Sequence, residues 1–154
     1  MTTIAYDGQY IAADGLACGG DMIYETDFKK FKKLLKFNNA IVGCCGTAAD
    51  IEIFAENYYP KEFTNMQLNS CGIGYCSEVG VFVCGVSTTN EFYLDVLNSR
   101  QMAVGSGGKF AIAALDHGAS AIDAVRYAST RDLYTGGVIT TFDTRTQKFK
   151  RYKK

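Results

Sequence analysis

Apolar positions along the chain change period several times, and each change marks an element. Thr3 to Tyr6 and Tyr10 to Ala13 are short apolar runs around Asp7-Gly8. Asp-Gly is a strong hairpin signal, so the two runs are predicted to pair as strands. Asp14-Gly15 ends the second strand, and Leu16 to Asp27 reads as irregular. Phe28 to Phe37 (FKKFKKLLKF) admits four readings: basic amphipathic helix, nucleic-acid patch, membrane-surface segment, or strand with alternating faces. A hairpin is the most economical, with Asn38-Asn39 turning into the buried strand Ala40 to Cys45.

Gly46 ends that strand. Thr47 and Asp50 form a rough capping box for a helix over Ala48 to Tyr59, stopped by Pro60. Lys61 to Gly74 is polar and aperiodic and reads as a loop. Val79 to Ser87 and Phe92 to Leu97 are predicted strands joined by Thr88-Thr89-Asn90, and Met102 to Val104 is another. Two helices follow. One covers Phe110 to Leu115 and is closed by His117-Gly118; the other runs from the Ser120 cap to about Arg131. Val138 to Phe142 and Lys148 to Tyr152 form a last hairpin. Strands in runs between helices imply an α+β domain with antiparallel sheets, and the whole of 1–154 reads as one domain.

Composition narrows the function. Formal net charge is zero, which argues against a dedicated nucleic-acid binder. No apolar run reaches the ~20 residues of a membrane span. No signal peptide is visible, so a cytoplasmic location is expected. The six cysteines, Cys18, Cys44, Cys45, Cys71, Cys76 and Cys84, are then expected as free thiols. Cys71 and Cys76 could join His117 around zinc only at poor spacing, so neither metal nor cofactor is expected.

Candidate chemistry starts at Thr2. Cytosolic processing removes Met ahead of so small a residue, leaving a threonine with a free α-amine. Its hydroxyl can attack while its amine takes the proton. An α-amine titrates near ~8, so part of it is neutral at working pH. Such a site needs a nearby cation, a carboxylate that holds the cation, and N–H donors facing the oxyanion. His117, the sole histidine, reads as a helix C-terminal cap. Val104 replaces the first Gly of a Gly-x-Ser-x-Gly motif at Ser106. Gly105 to Gly108 lacks the rest of a phosphate-binding Walker pattern and reads equally as a close-packed turn.

The chain resembles the proteasome β-subunit / HslV family. Six pieces carry the likeness in family order: Thr2-Thr3-Ile4, Ala13-Asp14-Gly15, Lys29 to Leu34, Gly46-Thr47-Ala48-Ala49-Asp50, Val104 to Gly108, and Arg131 to Gly137. The resemblance implies a four-layer αββα N-terminal-nucleophile hydrolase. It implies that Thr2 attacks a peptide carbonyl, Lys30 stays charged beside it, and Asp14 positions Lys30. Gly46 corresponds to the oxyanion donor, and Ser106, Asp132 and Thr135 to residues that orient the amine and a water. Ala17, Cys18, Phe28, Lys32, Cys44 and Ala48 correspond to the pocket for the substrate side chain.

The implied substrate is a peptide or unfolded protein, and the implied assembly is a homo-oligomeric ring. Loss of Met1 alone would activate it, as in HslV. Lys61 to Gly74 is too short and polar for the family's second outer helix, so one outer-layer helix is expected to be missing. Docking to an ATP-dependent unfoldase is weakened accordingly. The alternative is an inactive binding or scaffold protein on the same fold.

Overall fold

In the computed structural model, the described residues are 2–19, 22–25, 28–34, 37–46, 70–89 and 91–153; side chains are described for these except 17–19, 22–25 and 29–34. Twelve strands and two helices occur among them. In order they are β1 (Thr3–Tyr6), β2 (Tyr10–Asp14), β3 (Leu16–Gly19), β4 (Met22–Glu25), β5 (Lys29–Leu34), β6 (Phe37–Gly46), β7 (Ser70–Cys76), β8 (Gly80–Val86), β9 (Phe92–Val96), β10 (Met102–Gly105), α1 (Gly108–Asp116), α2 (Ala121–Ala128), β11 (Ile139–Asp143) and β12 (Lys148–Tyr152). Every strand pairing is antiparallel. One five-stranded sheet runs β10-β1-β2-β11-β12, a second runs β5-β6-β7-β8-β9, and β3-β4 form a separate ribbon.

Side-chain alternation sets the layers. Ile4, Tyr6, Ile11 and Phe142 of the first sheet pack against Cys45, Ile73, Val81 and Val83 of the second. Ala5, Ala12 and Ile139 face the other way and meet the two helices. Those helices present Ala111 and Leu115 from α1, and Ala121, Ala124, Val125 and Ala128 from α2, at three- and four-residue spacings. Alanine at most of these positions lets the helices approach the sheet closely. Ile4, Ile11, Ile73 and Phe142 are fully buried, each stabilising the fold by about 1.5–3 kcal/mol.

Ser120 caps α2 as expected: its Oγ accepts from the Asp123 N–H at 3.2 Å. Asp7 Oδ2 accepts the Ala121 N–H at 2.8 Å and so ties the β1–β2 turn to the helix start. α2 ends at Ala128 rather than near Arg131, because Thr130 and Arg131 already close turns onto Tyr127 and Ala128.

Three expectations are corrected. Leu16 to Asp27 is not wholly irregular: β3 and β4 form a hairpin within it, with positions 20 and 21 between them. Asn38 and Asn39 lie inside β6 rather than in a turn, since positions 35 and 36 separate β5 from β6. Asn39 adopts φ 54° there, a conformation asparagine tolerates better than most residues. The segment Lys61 to Gly74 is not all loop, because β7 begins at Ser70. The helix expected over Ala48 to Tyr59 lies outside the described residues. So does the rest of 47–69.

Glycine in β7 is required by the backbones around it. A Cβ on Gly72 would stand 2.4 Å from the Gly43 carbonyl oxygen and 2.7 Å from Val42 Cγ1. A clash with backbone cannot be relieved by a rotamer change. Gly72→Ala is expected to cost about 1–3 kcal/mol, read as a lower urea midpoint at unchanged slope.

Candidate active site

The site is built where β1 begins. Thr2, Thr3 and Asp14 are 6%, 0% and 2% exposed, so three polar side chains sit in the interior. Asp14, the last residue of β2, receives three backbone N–H groups. Thr3 donates to Oδ1 at 2.5 Å, Gly136 to Oδ2 at 2.7 Å, and Leu16 to Oδ2 at 3.3 Å. One carboxylate therefore ties together the first strand, the second strand and the 132–137 loop.

Thr3 centres a second network. Its hydroxyl accepts the Gly107 N–H at 3.0 Å and shares a 2.6 Å hydrogen bond with the Thr135 hydroxyl. Thr135 Oγ1 in turn donates to Asp132 Oδ2 at 2.5 Å, and Ser106 Oγ donates to the same oxygen at 2.6 Å. Ser106 thus joins Asp132 and Thr135, which lie in a separate loop further along the chain, in one hydrogen-bonded cluster. The Gly107 N–H that could have served a phosphate is already taken by Thr3. Gly105, at φ 95°, packs under this corner, and a Cβ there would overlap the Thr2 carbonyl. Only glycine fits.

Thr2 lines a narrow recess with Ala13, Asp14, Phe28, Gly43, Cys44 and Thr140. Phe28 and Cys44, two of the expected pocket residues, thus stand in the same recess as the candidate nucleophile. Gly46 ends β6, paired with Ser70. Lys30 lies in β5 opposite Ile41, but its side chain is outside the described set. The same holds for the side chains of Ala17, Cys18 and Lys32, and Ala48 is outside it altogether.

Sequence reasoning missed Thr3 and Gly136. The first stands beside Thr2 and carries no catalytic signal of its own in the sequence. The second sits in the Thr135-Gly136-Gly137 motif but acts through its backbone. The three residues considered for zinc do not converge. His117 caps α1, with its Nδ1 2.8 Å from the Ala113 carbonyl. Cys71 packs against the inter-sheet core, while Cys76 belongs to the cluster on the opposite face of the second sheet.

Electrostatics distinguish the two carboxylates. Burial pushes Asp14 up to about 6, against the pull of the N–H groups of Gly136, Thr3 and Leu16. Partial burial pushes Asp132 up too, but the Ser106 and Thr135 hydroxyls and the Tyr134 N–H outweigh it and leave it low. An unfolded Asp titrates near ~3.9. Between that value and about 6 the folded protein keeps a proton that the unfolded chain has released. Stability from Asp14 is therefore present below that window and is lost as pH rises through it. Relative to Asp14→Asn, the wild-type protein should lose on the order of 2 kcal/mol between pH ~4 and ~7, measured by urea unfolding. A constant difference would show that the carboxyl is not perturbed.

No family model matches the chain, and no curated protein matches it. Among solved structures it is similar to Anbu (ancestral beta-subunit) from Yersinia bercovieri, with a TM-score of 0.65 at 12% identity, covering 100% of this chain and 87% of that one. At that identity the likeness concerns the fold, which is proteasome-related.

Proposed function

We propose that the protein is a threonine peptidase of the N-terminal-nucleophile type. The observation that supports this most is the burial of Thr2 in one recess with Asp14, beside the Ser106–Asp132–Thr135–Thr3 cluster. A buried set of polar side chains on a strand end, with one carboxyl pushed well up, is the kind of arrangement active sites use.

In this reading Thr2, freed of Met1, attacks the carbonyl carbon of a peptide bond. Its own amine receives the hydroxyl proton and later passes it to the leaving amine. Lys30 stays charged and favours the ionised hydroxyl, while Asp14 fixes the lysine. The Gly46 N–H stabilises the oxyanion. Asp132, kept ionised by its hydroxyl donors, orients the amine and the water that hydrolyses the acyl-enzyme. Phe28 and Cys44 form one wall of the substrate pocket, and Ala17, Cys18, Lys32 and Ala48 complete it. No metal or cofactor enters the reaction.

The fold reading extends in the same way. The cluster of Phe37, Ala40, Val42, Cys76, Phe82 and Cys84 is buried on the outer face of the second sheet. In this reading the helical layer that completes αββα packs on that face. Copies assemble into a ring with inward-facing sites in the cytoplasm, acting on peptides or unfolded proteins. Near-complete burial of Thr2 favours a second reading, a scaffold with a closed, inactive site.

Intact mass and labelling separate the two readings. A peptidase should have lost one methionine residue and should gain one equivalent of a threonine-directed epoxyketone at Thr2. Thr2→Ala should lower fluorogenic peptide hydrolysis by about 10³-fold or more while the protein stays folded. A protein that retains Met1 and takes no label is the scaffold.

A further inference from the structure

Cys45 and Cys71 stand directly opposite each other on β6 and β7. Opposed residues of antiparallel strands have Cα atoms ~4.5–5.5 Å apart, inside the ~4.4–6.8 Å that a disulfide spans. Both side chains point to the same face, into the core between the sheets. Their sulfurs are 3.0 Å apart, and both thiols are free. Nothing in the peptidase reading uses either of them.

We infer that Cys45 and Cys71 are an oxidation site, at which a peroxide converts the two facing thiols into a reversible cross-strand disulfide. The inference rests on this geometry and stands whether or not Thr2 is a nucleophile.

The two sulfurs have different roles. Cys71 is held below its ordinary value, first by the hydrogen bond from Cys45 and also by the Gly105 N–H, against the pull of burial. Cys45 goes the other way, because the bond to Cys71 and burial both hold its proton on. Cys71 is also the less buried of the two. It is therefore the sulfur that meets the oxidant. Its thiolate attacks one peroxide oxygen, the O–O bond breaks, hydroxide leaves, and a sulfenic acid forms. Cys45 then attacks the Cys71 sulfur. The new S–S bond forms as the S–O bond breaks, and the departing hydroxide takes the Cys45 proton as water. Overall two thiols and one hydrogen peroxide give one disulfide and two waters.

The other described cysteines lack this arrangement. Cys44 and Cys84 each face Gly72 across the ladder, which has no sulfur to offer. Burial pushes Cys84 well up. The pair is also well placed to be felt elsewhere. Cys45 precedes Gly46, and Gly105, the donor to Cys71, lies under the Thr2 carbonyl.

The test treats the folded full chain with hydrogen peroxide, blocks remaining thiols with N-ethylmaleimide, and maps digested peptides by mass. The expected result is loss of two hydrogens per chain, a cross-linked peptide joining Cys45 to Cys71, and reversal by dithiothreitol. Cys71→Ser should abolish the cross-link, and Cys44→Ser should leave it intact. The inference is overturned if other cysteines pair, if chains link to one another, or if Cys71 oxidises to sulfinic acid without a cross-link. Unreacted thiols at a peroxide dose that oxidises glutathione would overturn it equally. The wild-type peptide map decides even if a variant fails to fold.

Discussion

A carboxylate withdrawn from water has to be satisfied by what surrounds it, and Asp14 is satisfied by backbone. Thr3, Leu16 and Gly136 each donate an N–H to it. Hydrogen bonds to a charged acceptor contribute about 1.5–3 kcal/mol each, while removing a carboxylate from water costs several kcal/mol. Burial outweighs the three donors but is largely offset by them, which is why the group is raised only to about 6. The consequence is positional. The start of β1, the end of β2 and the loop after α2 are fixed to one point, and Thr2 can stand only where Thr3 is held. Its place does not depend on its own side chain.

The second constraint is crowding. Gly105 touches the Thr2 carbonyl from below, and Gly107 fits against the Thr3 and Thr135 hydroxyls with no space for a Cβ. These glycines let the strand-to-helix turn reach the threonines closely enough for its N–H to bind one of them. Gly72 does the same for β7 against β6, where Gly43 has no side chain to interfere. Small residues thus bring the two sheets and the turn into one corner, and polar groups then fill it.

How much of this could be read from the sequence follows from where the information lies. The β1–β2 and β11–β12 hairpins, the Ser120 cap and the alanine-faced helices were legible because each depends on neighbours a few residues away. β7 was not, since Ser70-Cys71-Gly72-Ile73-Gly74 has the small residues of a loop. Those glycines answer to Val42, Gly43 and Phe82 across the sheet, which no local window contains. The β3–β4 hairpin was missed for a similar reason: its glycine and aspartate content reads as irregular until a partner strand is known. At the site, Asp14, Ser106, Asp132 and Thr135 carried no common signal. Only resemblance put them together, and the hydrogen bonds then joined the last three directly. Gly136 stayed hidden because it acts through its backbone N–H, and Thr3 because the partners of its hydroxyl, Gly107 and Thr135, lie more than a hundred residues away.

That cluster also bears on the choice between enzyme and scaffold. Interior hydroxyls and carboxylates add little net stability over apolar residues of similar shape. Asp14 and Thr3 also hold segments together, but stability alone does not call for four polar side chains, Thr2, Thr3, Asp14 and Thr135, in one corner, each under a tenth exposed. A reaction that moves a proton between an amine, a hydroxyl and a water needs such groups, held rigidly and partly shielded. Thr3 and Thr135 orient each other, Thr135 and Ser106 keep Asp132 ionised, and Asp14 is left poised near neutrality. Local stability is given up in one corner while the surrounding core stays apolar and closely packed, a pattern expected where function rather than folding sets the residue choice.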